Sequence, residues 1–266
     1  MRSRSAPLAL AVAGVAALAA RPAVAAETDA AAPPPSVYRV NLAVDGPVLG
    51  AAAAAALVPY VLQDRIVRER CPCDVSEIPR FERFVVGYRS NAADIASDTL
   101  AALSVAVPAT VEALALGWGR PLLEDGVVLA ETVLVNGAIV TTVKDLVQRP
   151  TPRAYAGDAA IVSRPTGYRA FYSGHTSLTV AALTAAAWTW RFRRGPAAWP
   201  WVVVAAGGAG VGALRIAGGN HFPTDVAAAA VAGLAVGTAV PLLHHRRGHA
   251  LALVPAPGGL GIAGDF

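Results

Sequence analysis

The sequence predicts an all-α, membrane-type bundle of about five or six core helices. Three observations carry that reading. Hydrophobic residues make up 55% of the chain and charged residues only 15%, where a soluble domain runs near a quarter charged. Mean hydropathy is +0.49. Six apolar segments, 46–62, 99–117, 127–143, 175–190, 199–214 and 222–243, approach the length that crosses a bilayer. They are apolar all round rather than on one face, as in buried or lipid-embedded helices. Alanine is only marginally apolar, so a soluble helical core is the alternative, and hydropathy favours the bilayer. Net charge is +4, with no basic stripe interleaved with aromatics, so nucleic acid is not expected as a partner.

Taken in order, residues 1–25 read as a signal peptide. Arg2 and Arg4 precede an apolar run over 8–20, and Ala23-Val24-Ala25 offers a small-x-small cleavage site. An uncleaved anchor is the alternative. Residues 26–45, with Pro33-Pro34-Pro35, read as a linker. The helical domain then occupies 46–243 and a tail 244–266. Cys71 and Cys73 are too few for a zinc site. A disulfide between them would close a tight ring around Pro72, so they are expected to shape a loop.

Arg191, Arg193 and Arg194, and again Arg246 and Arg247, mark two cytoplasmic places by the positive-inside rule. The loops over 144–170 and 215–221 then face the periplasm of a bacterial inner membrane; a soluble periplasmic protein is the alternative. A cleaved leader followed by six crossings reverses this orientation. The conflict disappears if 46–62, interrupted by Pro59, stops short of crossing. Trp188, Trp190, Trp199 and Trp201 suit an interfacial belt. Glu112, Glu131 and Asn136 lie inside apolar segments, where polar groups either pair between helices or serve function. His244, His245 and His249 sit in the basic tail and read as interfacial rather than metal-binding. The glycine-rich 251–266 suits a hairpin or no fixed structure.

Three stretches concentrate the reactive side chains on one predicted membrane face. One runs from Lys144 through Arg149-Pro150-Thr151-Pro152-Arg153. The second is Tyr172-Ser173-Gly174-His175. The third runs from Arg215 to His221 and on to Asp225. Lys144 and Arg215 are long cations that neutralise phosphate oxygens, Arg with a fork of donors. Ser173 and Gly174 open a helix, whose N-terminus favours an anion. His221 and Asp225 are four apart at the start of another helix, with Pro223 tolerated in its first turn. That spacing stacks them on one face, so Asp225 can hold one imidazole nitrogen while the other attacks. His175 is placed to protonate a leaving oxygen. A nucleophile, an orienting acid, a general acid and fixed cations are the parts of phosphoryl transfer.

These stretches resemble the three motifs of the type 2 phosphatidic acid phosphatase superfamily, Lys-x6-Arg-Pro, Pro-Ser-Gly-His and Ser-Arg-x5-His-x3-Asp. That superfamily also holds bacterial class A acid phosphatases and vanadium haloperoxidases. The resemblance covers roughly 100–243. It implies His221 as nucleophile, Asp225 as its partner and His175 as acid, with Lys144, Arg215, Ser173 and Gly174 binding phosphate. It implies no metal and no cofactor for hydrolysis, and a phospholipid or prenyl phosphate substrate at a membrane. Tyr172 and Leu214 replace a proline and a serine that supply no charge. Thr151 stands where the pattern has Arg, and Arg149 or Arg153 is expected to supply the missing phosphate contact. A vanadate-dependent haloperoxidase and a decayed lipid-binding protein are the alternative readings.

Overall fold

The computed structural model describes residues 34–246, together with the backbone of two short strands, β1 (Ala252–Ala256) and β2 (Gly259–Ala263), which form an antiparallel hairpin. The expected leader at 1–25, the first part of the linker, and Arg247 and His249 lie outside the described residues.

Six long helices account for the six apolar segments: α1 (Leu42–Val61), α2 (Asn91–Leu116), α3 (Arg120–Val147), α4 (Gly174–Arg194), α5 (Trp199–Ala217) and α6 (Pro223–His244). Their ends follow capping rather than hydropathy. The second helix starts eight residues before its apolar run because Ser90 caps it, its Oγ accepting from the Ala93 N–H at 3.2 Å. That extension carries Asp94, Ser97 and Asp98, which precede the apolar run, into the helix.

The bundle is inside-out relative to a soluble protein. Among the described residues, five helices are long and apolar enough to cross a membrane; of the six long helices the exception is α4. Yet α4 is the centre of the bundle, packed against α2, α3, α5 and α6. Its buried face is rich in Thr176, Ser177, Thr179, Thr184 and Thr189, with alanines between them. Large apolar side chains on the surrounding helices point outward, among them Leu103, Leu114, Val202, Val231 and Leu243. Such a surface is stable against lipid and costly against water. The chain is a membrane-type helical bundle.

Close approach of α6 to α4 depends on two glycines. A Cβ on Gly233 would lie 2.5 Å from the Ser177 carbonyl oxygen, and one on Gly237 would lie 2.4 Å from that of Ala181. This small-x-x-x-small spacing lets two backbones touch where lipid supplies no hydrophobic drive between helices.

The first segment, for which the sequence left crossing and stopping short both open, forms a helix long and apolar enough to cross a membrane. Twenty helical residues span about 30 Å, and α1 qualifies by length and composition. Pro59 falls in its last turn, where it does not shorten the helix. Both ends of the bundle's chain therefore meet at one end: Arg39 N–H donates to His244 O at 2.7 Å and Arg246 N–H to Val37 O at 2.9 Å. Tyr38, within the expected linker, is fully buried and bonds Thr189 at 2.7 Å.

That far end is stitched by ion pairs. Arg193 grips Asp125 with two nitrogens, at 2.8 and 2.6 Å, and Arg194 meets Glu112 at 3.1 Å. Asn136 accepts from Ser177 at 2.6 Å. The polar groups inside apolar segments thus pair between helices. Trp190 packs edge-on against Trp199, and Trp188 against Trp201, clasping the α4–α5 turn. At the opposite end, Cys71 and Cys73 are joined in a disulfide, contrary to the expected loop without one. Their Cα atoms lie 4.4 Å apart, at the near edge of the range that a disulfide spans.

Candidate active site

The last turn of α3 carries Lys144, and the helix stops just beyond it. Gln148 adopts the left-handed conformation (φ 46°), with its N–H on the Lys144 carbonyl. Pro150 and Pro152 then prevent continuation. Lys144 Nζ donates to the Arg169 carbonyl. Thr151 has local work of its own. Its Oγ caps the short helix Pro152–Tyr155 by accepting from the Ala154 N–H at 3.2 Å, and its own N–H reaches Gly167 O at 2.8 Å.

Ser173 caps α4 and is fully buried, with its Oγ 3.0 Å from the Thr176 hydroxyl and its N–H on Asp225 O at 3.2 Å. Gly174 and His175 open the helix, so their N–H groups have no intrahelical carbonyl to serve. A Cβ on Gly174 would press to 3.3 Å from Val140, so the missing side chain keeps this helix end close to α3. His175 Nε2 lies 3.0 Å from Asp98 Oδ1.

Arg215 ends α5. Its Nη1 meets Ser97 Oγ at 3.2 Å, Asp98 at 3.4 Å and Asp94 at 3.7 Å. Its Nε is buried and has no hydrogen-bond partner among the described residues. The chain then turns through Gly219, which has φ 71° and passes so close to the Tyr88 carbonyl that a Cβ would overlap it. The turn delivers His221, whose Nδ1 lies 2.7 Å from the Ala170 carbonyl oxygen. A carbonyl only accepts, so Nδ1 carries the proton and Nε2 holds a lone pair. Asp225 Oδ2 is 3.8 Å from Nδ1, beyond hydrogen-bond reach. The direct holder of the imidazole is a backbone carbonyl, with the carboxylate one step behind. Burial pushes the His221 imidazole down to about 4, Lys144 and Arg215 adding to the effect and Asp225 opposing it. At neutral pH it is uncharged.

Lys144, Thr151, Gly174, His175, Arg215 and His221 line one cavity of about 370 Å³. The two flanking arginines part company. Arg153 lines this cavity, anchored by Asp158 at 2.8 Å. Arg149 is not among the lining residues. It lies in a buried network with Glu82 at 2.8 Å, Asp225 and the Thr224 hydroxyl at 2.9 Å, and stacks over Phe222. Glu82 also accepts from the Thr224 N–H and hydroxyl at 2.9 and 2.7 Å. Asp225 accepts from the Phe222 N–H at 2.8 Å as well.

Sequence reasoning missed four participants. Arg169 lines the cavity, paired with Asp145, while Glu82, Asp94 and Asp98 come from the charged residues between the first and second apolar segments. No spacing signal tied any of them to the three motifs. The Ser90 cap was the one readable hint that 91–98 belongs to a helix.

The bundle of membrane-type helices thus brings a neutral histidine, a second histidine and several cations into one cavity. Residues 125–249 match the PAP2 superfamily model, a match that supports placing the chain in that superfamily. The match supports phosphatase- or haloperoxidase-type chemistry here. No curated protein and no solved structure matches the chain.

Proposed function

We propose that the protein is a phosphatase that hydrolyses phosphate esters, in particular lipid phosphates or diphosphates, through a phosphohistidine on His221. The observation that carries this reading is the His221 imidazole: uncharged, held through Nδ1 by Ala170, and sharing a cavity with Arg215, whose buried Nε awaits an acceptor. Lys144, Arg215, Arg153 and the N-terminus of α4 at Gly174 bind the phosphoryl oxygens, with Ser173 shaping that helix end.

In the first step His221 Nε2 attacks phosphorus, the P–O bond to the alcohol breaks, and His175 gives the leaving oxygen its proton. The resulting cationic imidazole ring keeps its Nδ1 proton on Ala170, with Asp225 behind it to balance the charge. In the second step water attacks phosphorus while His175 takes a proton from it. The P–N bond breaks, orthophosphate leaves, and both histidines return to their starting states. Fixed cations and helix N–H groups stabilise charge spread over the equatorial oxygens.

By family resemblance the candidate substrates are phosphatidate, phosphatidylglycerol phosphate and undecaprenyl diphosphate. Cavity-lining Val140, Ile161 and Leu178 give an apolar chain a path beside the charged end. Purified protein assayed against these lipids and soluble monoesters tests the proposal; absence of phosphate release from all of them would reject it.

The cavity end is proposed to face the periplasm. The Cys71–Cys73 disulfide lies at that end, where oxidation persists, and Arg191, Arg193 and Arg194 lie at the other. A leader cleaved near Ala26 followed by six crossings would turn the cavity to the cytoplasm. Labelling single cysteines placed at positions 164 and 195 with a membrane-impermeant thiol reagent separates the two: the proposal requires labelling at 164 only.

A further inference from the structure

The far end of the bundle holds a cluster that the reaction does not use. Asp45 at the start of α1, Glu131 in α3 and His244 at the end of α6 each offer one ligand atom, and these atoms lie within 4.8 Å of one another. His244 Nε2 is 3.2 Å from Glu131 Oε2 and 3.6 Å from Asp45 Oδ1. From His221 to this point is the length of α6, about 33 Å for 22 residues. We infer that Asp45, Glu131 and His244 bind one divalent transition-metal cation that ties α1, α3 and α6 together.

Four features support a cation rather than a plain ion pair. The spacing of 3.6 Å falls within, and that of 3.2 Å just below, the ligand–ligand edge of about 3.3–3.6 Å expected around an ion with bonds of roughly 2.0–2.2 Å. His244 Nδ1 lies 2.9 Å from Val240 O, so Nδ1 donates there and Nε2 is the nitrogen turned toward the carboxylates. A ligating histidine is commonly oriented in this way, by its other nitrogen. Asp45 Oδ2 is taken by the Asn41 N–H at 2.7 Å, which fixes that carboxylate and leaves Oδ1 for the cluster.

Finally, Glu131 is 3% exposed, and its Oε1 is buried without a hydrogen-bond partner among the described residues. A buried carboxylate oxygen left without a donor is costly. Four arginines of this end are engaged with other acids: Arg193 with Asp125, Arg194 with Glu112, and Arg120 and Arg246 with Glu124. One imidazolium would balance one of the two carboxylates, whereas a divalent ion balances both. One imidazole and two carboxylates suit zinc or manganese. Three protein ligands leave a fourth position for water. The three positions lie about a hundred residues apart in the chain, which hides the set from sequence, where His244 reads as an interfacial residue.

The test uses full-length protein purified in detergent without chelator. Elemental analysis is expected to find about one equivalent of metal per chain. After stripping with EDTA, Zn²⁺ at a hundredfold excess over its Kd should raise Tm by about 5–10 °C, and Co²⁺ should give the visible absorption bands of a protein-bound ion. Glu131→Gln and His244→Gln should each abolish the Tm rise and the Co²⁺ bands while keeping phosphate release, which reports that the fold survives. Should either variant lose activity as well, Asp45→Asn at the bundle's edge supplies the same readouts. Stripped wild-type protein showing neither a Tm rise nor Co²⁺ bands would overturn the assignment, as would unchanged responses in folded variants. Either result would leave an imidazolium-bridged pair of carboxylates.

Discussion

Replacing Arg149 and Arg153 separately by alanine should give phenotypes that differ in stability. Arg149 sits between two carboxylates whose side chains are 1% and 0% exposed, Glu82 and Asp225. Removing it leaves both acids without their cation, and breaking a buried pair from one side costs about 3–5 kcal/mol. At roughly 2–4 °C per kcal/mol for a chain of this size, Tm should fall by about 6–20 °C. Turnover should fall too, because Asp225 loses its anchor beneath His221. Arg153 lines the cavity and is held by Asp158 near its rim. Its removal takes away a charge-assisted contact to phosphate of about 1.5–3 kcal/mol, so kcat/KM should drop roughly tenfold or more with Tm little changed. The assay is hydrolysis of one soluble monoester at matched pH, alongside thermal unfolding in the same detergent. A stable, kinetically impaired Arg149→Ala beside an unfolded or fully active Arg153→Ala would refute the assignment. Thr151→Arg should add a cation to the cavity and so raise kcat/KM, while losing a helix cap worth about 1 kcal/mol.

The remaining expectations concern pH, the acid and helix packing. With the His221 imidazole pushed down to about 4, its neutral form persists throughout pH 5–8, and kcat/KM should lose its His221-dependent limb only as pH falls toward 4. A limb centred near the ordinary imidazole value of about 6.5 would contradict the burial argument. His175→Ala should slow hydrolysis of alkyl phosphates far more than that of p-nitrophenyl phosphate, whose leaving group needs little protonation; equal losses would deny His175 the role of acid. Gly237→Val should force α6 away from the Ala181 carbonyl and lower Tm, on the scale of about 1–3 kcal/mol for overpacking. An unchanged Tm would mean that the close α4–α6 contact is not needed.

The outline of the fold was legible because a bilayer-type bundle advertises itself by composition: each of the six apolar runs became a long helix. What hydropathy hid was their order of burial. Helix α4 is the least apolar of the six and the most enclosed, because its small threonines and alanines pack in the bundle's centre while leucines of the surrounding helices face outward. Ends were legible only where a cap residue stood, as at Ser90. The three reactive stretches could be read because each is local in sequence, and the cavity brings Lys144, Gly174, His175, Arg215 and His221 together. Arg149 could not be distinguished from Arg153 in this way. Two residues beyond a helix end bounded by Pro150 and Pro152, small differences in backbone direction decide whether a guanidinium enters the cavity or joins Glu82 beneath it. The hold on His221 by Ala170 was invisible too, because a backbone carbonyl leaves no signature in a sequence.

The central claim is the covalent intermediate, and trapping it is the most direct measurement. Enzyme mixed with a ³²P-labelled phosphate ester and quenched within its first turnover should carry label that survives alkali and is lost in acid, the behaviour of a phosphoramidate. Peptide mapping should place that label on His221, and His221→Ala should show neither label nor phosphate release. Label on any other residue, or near-normal turnover by His221→Ala, would contradict the account.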